Sequence, residues 1–167
     1  KDIILSFIDL REEVVTKRTV YDLNKARNKA HILIGLVVAN DNIDEIIELI
    51  KSSKDSKEAK QKLIENTWNL SKENIDFILL IEDNENRVVQ NTYKLSEIQC
   101  KAILDLRLHR LTSLEREDIK NDLESISLEI KDYLGILNSR SKLLSIIKEE
   151  LSLIKKEFNT PRKSEII

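Results

Sequence analysis

Apolar residues recur at helical spacing along most of the chain. Leu23, Ala26, Ala30, Leu33 and Val37 follow 3,4,3,4 steps, the pattern of a helix that buries a narrow stripe against another helix. Gly35 is the only helix breaker across positions 4–40, so the pattern predicts one long helix there. A second stripe runs through Ile119, Leu123, Ile126, Ile130, Tyr133 and Leu137. Its start carries Thr112 and Glu115 at capping-box spacing, able to satisfy free amides of the first turn. Gly135 and the Asn138-Ser-Arg-Ser141 cluster predict a break near 138–141, after which Leu144, Ile147, Leu151, Ile154 and Phe158 resume the stripe.

The segment between the stripes breaks into shorter elements. Asn42 is placed to cap a helix running to about position 51, and Ser56 to begin another that ends near 66. Ser96-Glu-Ile-Gln99 is a second capping box, with Leu95 and Cys100 as its hydrophobic staple, and it predicts a helix over 97–109. Positions 67–94 carry a weaker pattern. Phe77-Ile-Leu-Leu-Ile81 fits a buried run of either type, and Asp83-Asn-Glu-Asn86 reads as a turn. The expected fold is all-α: a long antiparallel coiled-coil arm capped by a small helical globule. Positions 1–40 form the first arm helix, 41–114 the globule, 115–158 the second arm helix with its break, and 159–167 a tail.

Composition sharpens this picture. Charged residues make up 35% and aromatics 4%, with two Gly and one Pro, a balance that suits long amphipathic helices rather than a sandwich or barrel. The first stripe is flanked by Arg11, Lys17, Arg18, Lys25, Arg27 and Lys29, whereas 115–132 is net acidic, which favours packing the two long helices against each other. The net charge of −2 disfavours a free-standing nucleic-acid binder. Lone Cys100 has no partner for an internal disulfide, and no apolar run is long enough to cross a bilayer, so a cytoplasmic protein is expected. The chain starts at Lys1 and contains no methionine, as expected of a piece cut from a longer protein.

Candidate chemistry is sparse. His31, Cys100 and His109 lack metal-ligand spacing, and no glycine-rich phosphate cradle exists. Asp105 and His109 share one helix face, but a catalytic pair would also need a nucleophile and an oxyanion site. The carboxylates of 115–122 read as a solvated helix face, and Trp68 as an anchor of the globule. No catalytic, cofactor-binding or metal residue is assigned.

Several passages carry a resemblance. They are Ala102-Ile-Leu-Asp-Leu-Arg-Leu-His-Arg-Leu-Thr-Ser-Leu-Glu115, Lys17-Arg-Thr-Val-Tyr-Asp-Leu-Asn-Lys-Ala-Arg27, Ala30-His-Ile-Leu-Ile-Gly-Leu36 and Asn42-Ile-Asp-Glu-Ile-Ile-Glu-Leu-Ile50. Together with Phe7-Ile-Asp-Leu-Arg-Glu-Glu-Val-Val15 and Arg162-Lys-Ser-Glu-Ile166, they make nearly the whole chain similar to the A subunit of DNA gyrase, a type IIA topoisomerase. Leu10, Ile34 and Cys100 depart from the family's usual residues, and 67–94 match weakly. The A subunit of topoisomerase IV is the close relative, and differences expected around Lys25-Ala-Arg27 and Asp105-Leu-Arg-Leu108 favour gyrase.

The resemblance implies the coiled-coil arm and exit gate of an enzyme that passes one DNA duplex through another at the expense of ATP. Its nucleophilic tyrosine lies in an Arg-Tyr-Thr context, which Tyr21, Tyr93 and Tyr133 lack, so cleavage chemistry is expected outside this chain. Mg²⁺ and ATP are expected through the B subunit, in an A2B2 complex on double-stranded DNA. The globule is expected to form a homodimer contact, with Ile103, Leu104, Leu106, Leu108 and Leu111 as candidates because one short helix cannot bury them all on its own chain. The competing readings are a coiled-coil tether, which should extend its heptads without a globule, and an RNA-binding arm, which should carry a basic stripe.

Overall fold

A computed structural model of the chain describes residues 2–81, 88–89, 92–105, 113–161 and 164. Seven helices and a small sheet occupy them, an all-α architecture with a minor β element. Among the described residues no helix is long and apolar enough to cross a membrane. The chain divides into two compact units, one from Lys1–Leu23 with Asp132–Ile167, the other from Asn24–Lys131.

Helix α1 (Asp2–Asp41) contributes to both units and, at 40 residues, is about 60 Å long. A buried stripe runs along it through Val15, Thr19, Leu23, Ala26, Ala30, Ile34 and Val37, and Gly35, Val38 and Ala39 are buried as well. From Val15 to Val37 the stripe's spacing of 4,4,3,4,4,3 is an 11-residue repeat rather than a heptad. Such a repeat lies close to the 3.6-residue turn, so the stripe holds its bearing without a left-handed supercoil. Two positions differ from the 3,4,3,4 reading: Ile34 takes the buried place with Leu33 half-buried beside it, and Thr19 enters the stripe. Thr19 is tolerated there because its hydroxyl donates to the Val15 carbonyl at 2.8 Å.

In the first unit, Val15 packs with Leu143 and Ile147, and Ile136 and Ile146 lie against them. Helix α6 (Ser113–Leu137) runs through Gly135, and the break falls after it. Ser139 then caps α7 (Arg140–Phe158), its side chain accepting from the Lys142 amide. The resumed stripe on α7 is set differently from the sequence expectation. Leu143 and Ile147 are its buried members, whereas Leu144, Leu151, Ile154 and Phe158 are exposed. Within this unit the N-terminal half of α1 pairs with α7, with Ile136 at the end of α6 beside it, and its ions follow. Arg11 and Arg18 both donate to Glu150, at 2.5 and 2.6 Å, and Arg140 donates to Glu12 at 2.9 Å.

The second unit adds α2 (Ile43–Lys51), α3 (Ser56–Glu65), α4 (Lys72–Ile81) and α5 (Glu97–Leu104) to its parts of α1 and α6. Antiparallel strands β1 (Trp68–Asn69), β2 (Val88–Val89) and β3 (Thr92–Tyr93) lie in the order β1-β3-β2, with Tyr93 opposite both Trp68 and Val88. Helix α3 is capped by Asp55, whose carboxylate accepts from the Glu58 amide at 2.7 Å. Asn42 stands at the N-cap of α2 but makes no side-chain cap bond. Its carboxamide instead donates to the Val38 and Asn69 carbonyls and accepts from the Asn69 amide, tying the end of α1 to β1. Trp68 is buried with its indole N–H on the Leu63 carbonyl at 3.0 Å. The Phe77–Ile81 run is the C-terminal half of α4, with Ile78 and Ile81 buried. The turn read at 83–86 lies outside the described residues.

Candidate functional site

Helix α5 begins where the sequence dictates. The Ser96 hydroxyl accepts from the Gln99 amide at 3.2 Å, and the Gln99 side-chain oxygen accepts from the Ser96 amide at 2.8 Å, completing a capping box. That start fixes the phase of the helix. Gln99, Cys100 and Ile103 point into the unit and are buried, while Glu97, Ile98, Lys101 and Asp105 face out. Ile98 is 62% exposed, a large apolar side chain left open beside charged neighbours. Glu97 accepts from Lys60 of α3 at 2.9 Å, and that bond holds its carboxyl below the usual range.

The inward side is held by polar contacts as well as apolar ones. The Gln99 amide nitrogen donates to the His31 backbone carbonyl at 2.7 Å and to the Tyr93 hydroxyl at 2.9 Å. His31 Nε2 lies 2.8 Å from the Ser96 hydroxyl. A Cβ placed on Gly35 would come within 2.7 Å of Cβ and Cγ of Gln99, so α5 approaches α1 more closely than any side chain at that position would allow. Beside Gln99, burial pushes the Cys100 thiol up to about 11, which leaves almost no thiolate at neutral pH.

Of the contact residues expected from the sequence, Ile103 is buried within its own unit and Leu104 is half-buried. Leu106, Leu108 and Leu111 lie outside the described residues, as do Thr112 of the second capping box and His109. Ile103 lies in the core of its unit, where the cap turns it inward and Ile98 outward. The phase set by Ser96 and Gln99 was the signal that could have separated the two. Along the arm stripes, Leu23, Ala26, Ala30, Val37, Leu123, Ile126 and Ile130 are buried, and Leu33, Ile119, Tyr133 and Leu137 are half-buried.

The three tyrosines have unrelated surroundings: Tyr21 is exposed on α1, Tyr93 is buried in the sheet, and Tyr133 is half-buried on α6. No group of three or more His, Cys, Asp or Glu side chains able to hold a metal ion occurs among the described residues. In the first unit, Ile8, Leu144, Ile147 and Leu151 line an apolar groove edged by Lys148, Ser152 and Lys155.

Comparison with known proteins adds the lineage. The family described as the DNA gyrase/topoisomerase IV A subunit matches residues 1–152. The chain is 45% identical over 166 residues to the DNA gyrase A subunit of Rickettsia felis and 46% identical over 169 residues to that of Rickettsia prowazekii, in each case covering 99% of the chain and 18% of the relative. The corresponding gyrase protein of Granulibacter bethesdensis is 41% identical over 167 residues, again 99% of the chain and 18% of the relative. The chain thus spans about a fifth of the length of these curated relatives. A family match across nearly all of the sequence, with relatives at this identity, places it: the chain belongs to the family of DNA gyrase and topoisomerase IV A subunits.

Proposed function

We propose that this chain supplies an arm and the exit gate of a gyrase A subunit. The observation that carries the reading is the outward face of α5. There Ile98 stands open on a helix whose other side is anchored by Gln99, Cys100 and Ile103. A two-fold contact sets the same patch against itself, and Glu97 and Lys101 flank Ile98 with opposite charges, so each can face the other across such an axis.

In this reading two copies meet through α5 and its neighbours and hold the dimer while DNA is broken elsewhere. They then part to release the transported duplex. The B subunit contributes ATP hydrolysis and Mg²⁺, the complex is A2B2 on bacterial chromosomal DNA in the cytoplasm, and negative supercoiling is the outcome. Gyrase is favoured over topoisomerase IV because the relatives at 41–47% identity carry the gyrase name.

Sedimentation velocity tests the contact. The 167-residue chain should sediment as a dimer at micromolar concentration, and Ile98→Asp should shift it to monomer without loss of helical circular dichroism. A wild-type chain that stays monomeric well above micromolar concentration removes the physical support for a gate.

A further inference from the structure

We propose that Gln99 is a positioning residue: it latches α5 onto α1, so that the outward face bearing Ile98 moves with the arm helix instead of turning on its own chain. The proposal rests on the gate reading, and its geometry stands apart from that reading. Gln99 is fully buried, and both the oxygen and the nitrogen of its carboxamide are hydrogen-bonded. The oxygen takes the Ser96 amide at the start of α5, one N–H goes to the His31 carbonyl on α1, and the other goes to the Tyr93 hydroxyl on β3. One side chain thus ties three elements, in a place where Tyr93 is also fully buried, so that a lost partner leaves a desolvated polar group. Tilting α5 must break the bonds to His31 and Tyr93 together, while the bond to the Ser96 amide travels with the helix.

Two further features sharpen the assignment. Gly35 lies one turn beyond His31 on α1 and offers the space into which Cβ and Cγ of Gln99 fit. His31 and Gly35 therefore grip the same side chain, one by its polar end and one by its stem. The capping box alone would accept glutamate as readily as glutamine at this position. Glutamate has no N–H for the His31 carbonyl and can meet the Tyr93 hydroxyl only as an acceptor, so the hold on α1 requires the amide and the cap does not.

That distinction supplies the test. In the full-length gyrase complex of A and B subunits, spin labels at positions 29 and 101, both exposed, report the separation of α1 and α5. The unaltered protein should give one narrow distance distribution. Gln99→Glu, which keeps the cap, and Gly35→Ala, which fills the space from the other side, should each broaden or shift it. Both should lower supercoiling of relaxed plasmid at least tenfold while Mg²⁺-dependent DNA cleavage stays within twofold. Leu63→Ala, a core truncation in the same unit that removes none of these hydrogen bonds, should leave the distribution narrow. A wild-type distribution in Gln99→Glu, or equal broadening in Leu63→Ala, overturns the latch. An unaltered complex that fails to supercoil sinks the gate reading instead, whatever the distances show.

Discussion

Glu150 illustrates how one residue's chemistry is set by neighbours far away in sequence. The guanidinium of Arg18, and then that of Arg11, hold its carboxyl below the ordinary glutamate range. Arg140 does the same for Glu12. A carboxylate whose folded value is depressed contributes stability that is full above the unfolded value and fades as pH falls through the folded one. Acid should therefore weaken the α1–α7 pairing across and below the usual glutamate range, not at neutral pH. Glu150→Gln should flatten that dependence and cost under about 1 kcal/mol at neutral pH, because the pairs are partly solvated. Urea titrations at a series of pH values check both statements. None of these pairs was readable from the sequence, since Arg11 and Glu150 are 139 positions apart and many other pairings satisfy the same charges.

Among the elements, those with local start signals are the legible ones. Ser96 and Gln99 show where α5 begins, and the bond from Asp55 to the Glu58 amide shows what begins α3. Asp55→Ala should destabilise the protein by about 0.5–2 kcal/mol, read as a lowered thermal midpoint with unchanged helical content at low temperature. Asn42 shows the limit of such reasoning. It has the right identity and position for a cap, yet its side chain is taken by Asn69, 27 residues on. The strands leave no trace in the sequence because each is only two residues long, too short for a period of two to register. The buried stripes of α1 and α6 in the second unit suggest a register for pairing. Cysteines at positions 30 and 126 should form a disulfide within one chain under mild oxidation, and crosslinks only between chains would reject that register.

For the molecule as a whole, the proposal that DNA cleavage lies outside this chain can be tested directly. Tyr21, Tyr93 and Tyr133 lie between Val and Asp, Thr and Lys, and Asp and Leu, none of them the context the nucleophile requires. The 167-residue chain with Mg²⁺ should leave supercoiled plasmid unchanged and carry no covalently attached DNA. Protein-linked breaks made by this chain alone would overturn the assignment of cleavage to another part of the enzyme. Gate function asks for something different: a contact that opens while the helices behind it stay folded. The exposed Ile98 face and the buried Gln99 anchor are separate features of one short helix, so each can be altered without the other.

By itself the sequence determined what short-range physics determines: helical periodicity, the capping box of α5, the interruption around Ser139 and the family likeness. Tertiary structure decided which stripe members are covered. Leu143 and Ile147 are buried on α7 while Leu151 and Ile154 are not, because only the former meet Val15. It also decided that the long α1 spends its N-terminal half on α7, and that Ile103 turns in while Ile98 turns out. Gln99 marks the boundary between the two kinds of information. Its role as a cap is fixed by a residue three positions away, whereas its bonds to His31 and Tyr93 exist only once α1 and β3 have been brought to it.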